Sequence, residues 1–476
     1  MNRLSRSLVP TPSLPDKVVQ FGTGAFLRGF ADYFIDEANR AGRFNGRIVA
    51  VSSTGSSRDA ALNEQDGLFT LAIQGSVGQE LRIIESVSRA ISARDEWDAV
   101  LALARDPNIE LVISNTTEVG IVLDETDTFD ARPPKSFPAK LTRFLAERGA
   151  VFEYDLRRGL IVLPCELIED NGDKLREIVE TLARRWSLGP RFDAWLANAV
   201  TFCNTLVDRI VPGAAALDAA TLGYRDDLAT ACETYALFAI QGEPALRNRL
   251  AFPGEDPRII VAPDIRPYRE RKVRVLNGAH TIMVPAALLS GLQTVREACD
   301  DERIGPFLRR VVFDDIVPSV DVPDAESFAQ DVIERFANPY IKHALADITL
   351  YGTTKMRVRV VPSIVEYHAR TGRVPQSLAF GFAAYLAFMR GDLHVTQVSA
   401  DAEGARVTGD WKFVAYHSDE AVAAFVRRIC GNVSLWATDL TQIPGFTEAV
   451  TDHLLRILRQ GIAPALDAHL TATANT

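Results

Sequence analysis

Close to the N-terminus a short β-rich run, residues 17–21 (Lys-Val-Val-Gln-Phe), passes straight into Gly22-Thr-Gly24. An apolar-periodic segment with Phe26, Phe30, Tyr33 and Phe34 follows. Strand, glycine turn and helix in that order fit a dinucleotide-binding unit. There the glycines let backbone approach a pyrophosphate, and the helix start offers unpaired N–H groups and a positive dipole end. Phe21, Gly22, Gly24, Ala25 and Phe26 are then the cofactor-binding residues. The third glycine of the fingerprint is replaced by Leu27, so a plain β-turn-α connection also fits this stretch on its own.

The segments that follow keep the alternation. A second strand, residues 47–51, ends on Ser52-Ser53-Thr54, where an Asp or Glu would ordinarily hold the ribose hydroxyls of NAD. Hydroxyl groups such as that of Ser52 can bond the ribose instead. Arg58 nearby suits a 2′-phosphate, so NAD is expected and NADP stays open. Strands are expected at 68–73, 81–87 and 110–114, with a helix at 96–104 between the last two. The third strand leads into Asn115, Thr116, Thr117 and Glu118 at its carboxyl end, where ligands bind in such sheets. A helix after Phe137-Pro138, a strand at 160–164, a polar turn at Asn171-Gly172 opening a helix through Trp186, and a single alternating strand from 201 to Asp208-Arg209 complete the pattern. Past residue 267 the segments read as helices, with a loop or exposed hairpin at 400–409. The expected fold class is α/β: a Rossmann-type, mostly parallel sheet domain over residues 1–267 and a mainly α-helical domain over residues 268–476. A chain of 476 residues also exceeds what one hydrophobic core usually supports.

Composition narrows the partners. A net charge of -10 argues against nucleic acid or an anionic membrane. No apolar run is long enough to span a bilayer or to read as a signal peptide. Five scattered cysteines, never spaced as C-x-x-C, fit free thiols in a reducing compartment, so the cytoplasm is expected. The seven histidines are dispersed, without H-E-x-x-H, and no metal is expected.

The chemistry concentrates in residues 271–280, Arg-Lys-Val-Arg-Val-Leu-Asn-Gly-Ala-His. As an α-helix, this places His280 and Asn277 about 80° and 140° round from Lys272. Two readings fit: a desolvated lysine acting as general acid or base beside hydrogen-bonding Asn277 and His280, or a snorkelling lysine on a core helix. Tyr351 and Lys355 have the Tyr-x-x-x-Lys spacing of short-chain dehydrogenases, but a glycine interrupts it, and we treat it as coincidence.

Lys272-x4-Asn277-x2-His280 resembles the signature of the polyol-specific long-chain dehydrogenase/reductase family, the mannitol dehydrogenases and hexuronate reductases. The Phe21–Phe26 turn and Thr117-Glu118 match too. Gln65-Asp-Gly-Leu-Phe-Thr70, Asn204-Thr-Leu-Val-Asp-Arg209, Asn338-Pro-Tyr-Ile-Lys-His343 and Leu435-Trp-Ala-Thr-Asp-Leu440 extend the likeness along nearly the whole chain. The resemblance implies metal-free hydride transfer between a nicotinamide cofactor and a ketose-type carbonyl, at a site between the two domains. Lys272 is then the general acid and base, Asn171 and Asn277 oxyanion donors, and His280 a supporting group. Asp208, Arg209, Lys342 and Lys355 are substrate-binding candidates. The closest likeness within the family is to members that interconvert D-tagaturonate and D-altronate; fructuronate, mannitol and arabinitol are the alternatives. An arginine that mannitol dehydrogenases use for substrate is here Asp347, and a carboxylated sugar needs a cation, for which Arg209, Lys342, Lys355 and Arg357 are available. A non-catalytic nucleotide sensor is the alternative of another kind; intact Lys272, Asn277, His280 and Asn171 argue against it.

Overall fold

Short apolar runs at the start of the chain pair side by side. β1 (Asp16–Phe21), β2 (Arg47–Ser52), β5 (Val87–Ser92), β6 (Leu111–Ser114), β7 (Ile161–Pro164) and β8 (Thr201–Phe202) form one sheet in the order β5-β2-β1-β6-β7-β8, every neighbour parallel. Counted along the chain, this is the 3-2-1-4-5-6 order of doubly wound dinucleotide-binding sheets, and its direction reverses between β1 and β6. The computed structural model from which this is drawn describes residues 2–53, 57–116, 120–390 and 418–473.

Period-two alternation puts the sheet between two apolar cores. Val18, Ile48, Leu111 and Ile161 point into one, with Phe30, Phe34 and Phe238. Val19, Val49, Val112 and Val162 point into the other, with Trp97, Phe144 and Trp195. With both faces covered, only the strand tips are left to hold a ligand.

Two expected strands divide. Residues 81–87 supply the end of β4 (Gly78–Ile84) and the start of β5; β4 runs antiparallel to β3 (Phe69–Gly75) in a four-stranded sheet with β10 (Gly213–Ala214) and β11 (Thr230–Glu233). Residues 201–209 split into β8 and β9 (Thr205–Asp208), and β9 joins a three-stranded sheet with β12 (Leu237–Gln241) and β13 (Ile259–Ala262). Asn204 fixes the crossover. Its amide donates to Asp173 Oδ2 at 2.7 Å and Gln241 Oε1 at 3.0 Å, while its Oδ1 accepts from the Asp173 N–H. The segment switches sheets because a side chain satisfies the backbone at the break.

The chain divides into two compact units, Met1–Ile265 and Arg266–Thr476. The second is mainly helical over its described residues, as the sequence pattern implies. Its longer helices include Ala279–Leu289, Ala325–Phe336, Gln376–Met389 and Phe446–Gln460. The expected loop at 400–409 lies outside the described residues. Among the described residues no helix is long and apolar enough to cross a membrane.

The end of the sheet opposite the ligand tips depends on one side chain. Arg148, on the helix Phe137–Val151 and 1% exposed, donates to the carbonyls of Ala104, Asp106, Ile109 and Arg158 around the starts of β6 and β7. Burial lowers its pKa to about 10, and it stays charged. Arg148→Met strands these carbonyls and is expected to cost about 3 kcal/mol or more in urea unfolding; a change under 1 kcal/mol would show that water replaces the guanidinium.

Candidate functional site

The tips of β1 and β6 meet at the point of reversal. Gly22 has φ +131°, a backbone region that side chains rarely enter. A Cβ there would lie 2.8 Å from the Asn115 carbonyl oxygen, so the turn is tight because β1 and β6 close on each other. Gly24 caps the short helix Ala25–Arg28 without a side-chain cap, and a Cβ on it would meet nothing within 4 Å. That room beside uncapped helix N–H groups fits a pyrophosphate. Phe21 is buried against Phe137, with ring centroids 5.2 Å apart. Ala25 and Phe26 are half-buried, and Leu27, in the third glycine position, is packed into the core.

The expected single helix after the turn is broken. Ala25–Arg28 ends at Gly29, Phe30 leaves helical geometry, and Ala31–Arg40 begins. At the break Phe30 stacks on Phe26 and meets Phe34 and Phe238 at 5.1 to 5.3 Å. The buried Arg28 reaches back, donating to the Thr23 carbonyl at 2.7 Å and Thr230 Oγ1 at 3.0 Å, which ties the turn to β11.

At the tip of β6 the organising group is Glu166, which nothing in the sequence pattern marked. It is 2% exposed and accepts from Ser114 Oγ and from the Thr116 N–H and hydroxyl, each at 3.0 Å. Burial raises its pKa, partly opposed by these bonds. Asn115 donates to the Cys165 carbonyl at 2.6 Å. Thr117 and Glu118 lie outside the described residues.

Asn171 is fully buried. Its Nδ2 donates to the Pro164 and Glu166 carbonyls at 2.9 and 3.1 Å, and its Oδ1 accepts from the Thr205 N–H at 2.9 Å. The amide clips β7 to β9, and a bond from it to substrate requires one of these contacts to exchange. Arg209 is also engaged within the first unit, with its Nη2 buried and without a hydrogen-bond partner. It is buried, donates to the Gly29 and Glu233 carbonyls and covers the Tyr33 ring at 4.5 Å, so its charge braces the first unit. Asp208 is buried at the end of β9.

Seven residues beyond the end of β2 stands a buried acid, Asp59. Ser52 Oγ donates to Asp59 Oδ2 at 2.5 Å; Asp59 is buried on the helix Ser57–Glu64, whereas Arg58 is exposed. A carboxylate at this strand tip is the group that reads a ribose 2′-hydroxyl and repels a 2′-phosphate.

In the second unit, Lys272 starts a seven-residue π-helical segment, Lys272–Gly278, set between the α-helices Arg266–Arg271 and Ala279–Leu289. The α-helical spacing assumed for this stretch is therefore corrected. In an i→i+5 helix, residues five apart stack on neighbouring turns, so Lys272 and Asn277 share a side rather than standing ~140° apart. Two more π segments, Val311–Ile316 and Met356–Val360, pack against it. At Gly278 a Cβ would lie 2.9 Å from the Arg359 carbonyl oxygen. Arg274 is spent on Ser363, Ser319 and Glu270, and Arg271 on the Pro323 carbonyl and the Phe328 ring. Lys272 and Asn277 are half-buried.

His280 is buried and stacks on Phe336 at 3.8 Å, with the His343 ring edge-on at 5.2 Å. Burial first, then His343, Arg335, Arg359 and Lys355, hold it well below the usual imidazole range. It is neutral at physiological pH, a hydrogen-bonding group and not an acid. Lys355 is half-buried, and Lys342 is exposed. Arg357 lies 3.5 Å from the Ser434 carbonyl.

A 3-2-1-4-5-6 parallel sheet with a glycine turn at its reversal, joined to a helical unit presenting a lysine, an amide and a neutral imidazole, defines a dinucleotide-dependent dehydrogenase. Comparison with known proteins agrees. Residues 16–254 match the mannitol dehydrogenase Rossmann domain and residues 264–458 the mannitol dehydrogenase C-terminal domain, so the chain belongs to the mannitol dehydrogenase family. It is 42% identical to an altronate oxidoreductase of Yersinia pestis bv. Antiqua (strain Nepal516), covering 98% of this chain and 100% of that one. It is also 42% identical to one of Bacillus subtilis (strain 168), over 96% and 95%. Among solved structures, Pseudomonas fluorescens mannitol 2-dehydrogenase in a ternary complex with NAD and D-mannitol matches 99% of this chain and 100% of that one, with TM-score 0.66 and 23% identity. A substrate-free D-sorbitol dehydrogenase matches 98% and 100%, with TM-score 0.79 and 21% identity. These last two show the shared fold.

Beneath the glycine turn, Asp32 is fully buried, and desolvation raises its pKa to about 7 against hydrogen bonding from Gln20 and the charge of Arg28. A carboxyl whose folded pKa lies above its unfolded value of ~3.9 favours folding most below that value, and this contribution is lost as pH rises through about 7. Asp32→Asn is thus expected to melt on the order of 5 °C above the parent at pH 8 and close to it at pH 4, with the gap opening between these values; equal gaps at both pH values would mean Asp32 is already ionised in the folded protein.

Proposed function

We propose that this protein is an NAD(H)-dependent oxidoreductase that interconverts D-tagaturonate and D-altronate. The observation that carries the reading is identity of 42% over essentially the full length of altronate oxidoreductases, with Lys272, Asn277 and His280 intact. A bound nicotinamide would supply the hydride for the ketone carbon in reduction and accept it in oxidation. Lys272 gives its proton to the carbonyl oxygen in reduction and removes the hydroxyl proton in oxidation. The Asn277 amide, brought to the same side by the π turn, donates to the oxygen as negative charge develops. Neutral His280 bonds a neighbouring substrate hydroxyl without competing for the transferred proton.

Gly22, Gly24, Ala25 and Asn115 form the cofactor's pyrophosphate site in this reading, and Asp59 at the β2 tip favours NAD over NADP. Five free cysteines fit a cytoplasmic setting.

Mixing the protein with NADH and tagaturonate is expected to consume nicotinamide absorbance at 1:1 stoichiometry, and a hexuronate panel with no turnover would overturn the assignment. Lys272→Met should lower kcat at least ~100-fold while NADH still binds in a fluorescence titration; near-parental kcat would place the proton elsewhere. For the cofactor, Asp59→Ala is expected to shrink the ratio of kcat/KM with NADH to that with NADPH by about tenfold or more. An unchanged ratio would remove Asp59 from ribose recognition.

A further inference from the structure

Lys355 and Arg359 stand four residues apart where the short helix Gly352–Lys355 runs into the π segment Met356–Val360. Both are half-buried. Lys355 Nζ donates to the Ile348 carbonyl at 2.9 Å, and Arg359 Nη1 to Thr281 Oγ1 at 3.4 Å. Neither bond involves a counter-charge, and among the described residues no carboxylate offsets the burial of either cation. Burial lowers the pKa of Lys355, with Arg359 adding to it, and burial lowers that of Arg359. The exposed Asp347 acts on His343.

A second observation lies in the same cluster. His280, more than nine-tenths buried, has an Nε2 with no hydrogen-bond partner. Thr281, the residue after it, receives the Arg359 bond. Two like charges taken partly out of water and a stranded imidazole nitrogen are each unfavourable without a ligand. An entering carboxylate flanked by hydroxyls relieves all three at once: it pairs with the cations, and a hydroxyl meets the imidazole. A neutral polyol relieves only the last.

We propose that Arg359, seconded by Lys355, takes the carboxylate of the sugar acid, and that Arg359 sets the preference for anionic over neutral sugars. The class of ligand rests on the sugar-acid reading above; the cation pair and the buried imidazole are independent of it. Arg357, two residues earlier, bonds the Ser434 carbonyl instead, and Lys342 is exposed.

The test titrates D-altronate and its neutral counterpart altritol calorimetrically into the full chain, into Arg359→Met and into Arg359→Lys, with turnover of altronate by NAD measured alongside. Thermal unfolding confirms that each variant is folded. Altronate is expected to bind the parent and to lose on the order of 10- to 100-fold in affinity in Arg359→Met, the range of a lost charged hydrogen bond. Arg359→Lys should recover part of it, and the altronate-to-altritol preference should collapse in the Met variant. In turnover the loss should appear in KM more than in kcat. Undiminished altronate binding by folded Arg359→Met, or no altronate binding by the parent, overturns the subsite. Altronate bound by the parent and lost in the Met variant, but never oxidised, overturns the functional reading and leaves the subsite standing.

Discussion

A parallel sheet buried on both faces leaves one place for chemistry, the carboxyl tips of its strands, and the first unit is arranged around that constraint. Val18 and Val19, Ile48 and Val49, Leu111 and Val112 alternate into opposite cores. Polar work is pushed to the ends. There, buried side chains take over where the ladder stops: Glu166 gathers Ser114 and Thr116, Asn171 joins β7 to β9, and Arg28 ties the glycine turn to β11. Each is nearly inaccessible to water, so each bond strengthens in the low local dielectric and its loss is correspondingly costly.

The second unit meets the opposite problem, the handling of charge within helices. Arg271 and Arg274 are neutralised or bonded by their neighbours, whereas among the described residues no acid pairs with Lys355 or Arg359. Charges a protein needs only for its own fold tend to be paired when buried. The contrast between these two pairs, both lying beside π segments, separates residues that hold the helices from residues that can hold a ligand.

Much of this was legible in the sequence. Near-continuous apolar runs bounded by turn residues gave β1, β2, β6 and β7 closely, and the change to 3.6-residue periodicity marked the helical unit. The sheet switch inside 201–209 was hidden because it depends on Asn204 meeting Asp173 and Gln241, contacts with no local signature. Glu166 belonged to no motif, and Asp59 fell outside the position where a ribose-binding acid is sought. The π insertion was invisible because the apolar pattern of 271–280 suits either helix. Arg359 carried no motif; its distinction is that no acid pairs with it among the described residues, which only the folded chain reveals.

The π segment at Lys272–Gly278 also acts as a phase setting between the two α-helices it separates. An added residue per widened turn rotates everything on one side of it relative to the other, by about 100° for each residue gained or lost. Side chains before the segment and His280 after it are thus aligned by the residue count between them as much as by their identities. Lengthening or shortening this run by a single residue leaves its composition almost untouched yet turns Lys272 and His280 to different sides, so at this point the chain tolerates substitution far better than insertion.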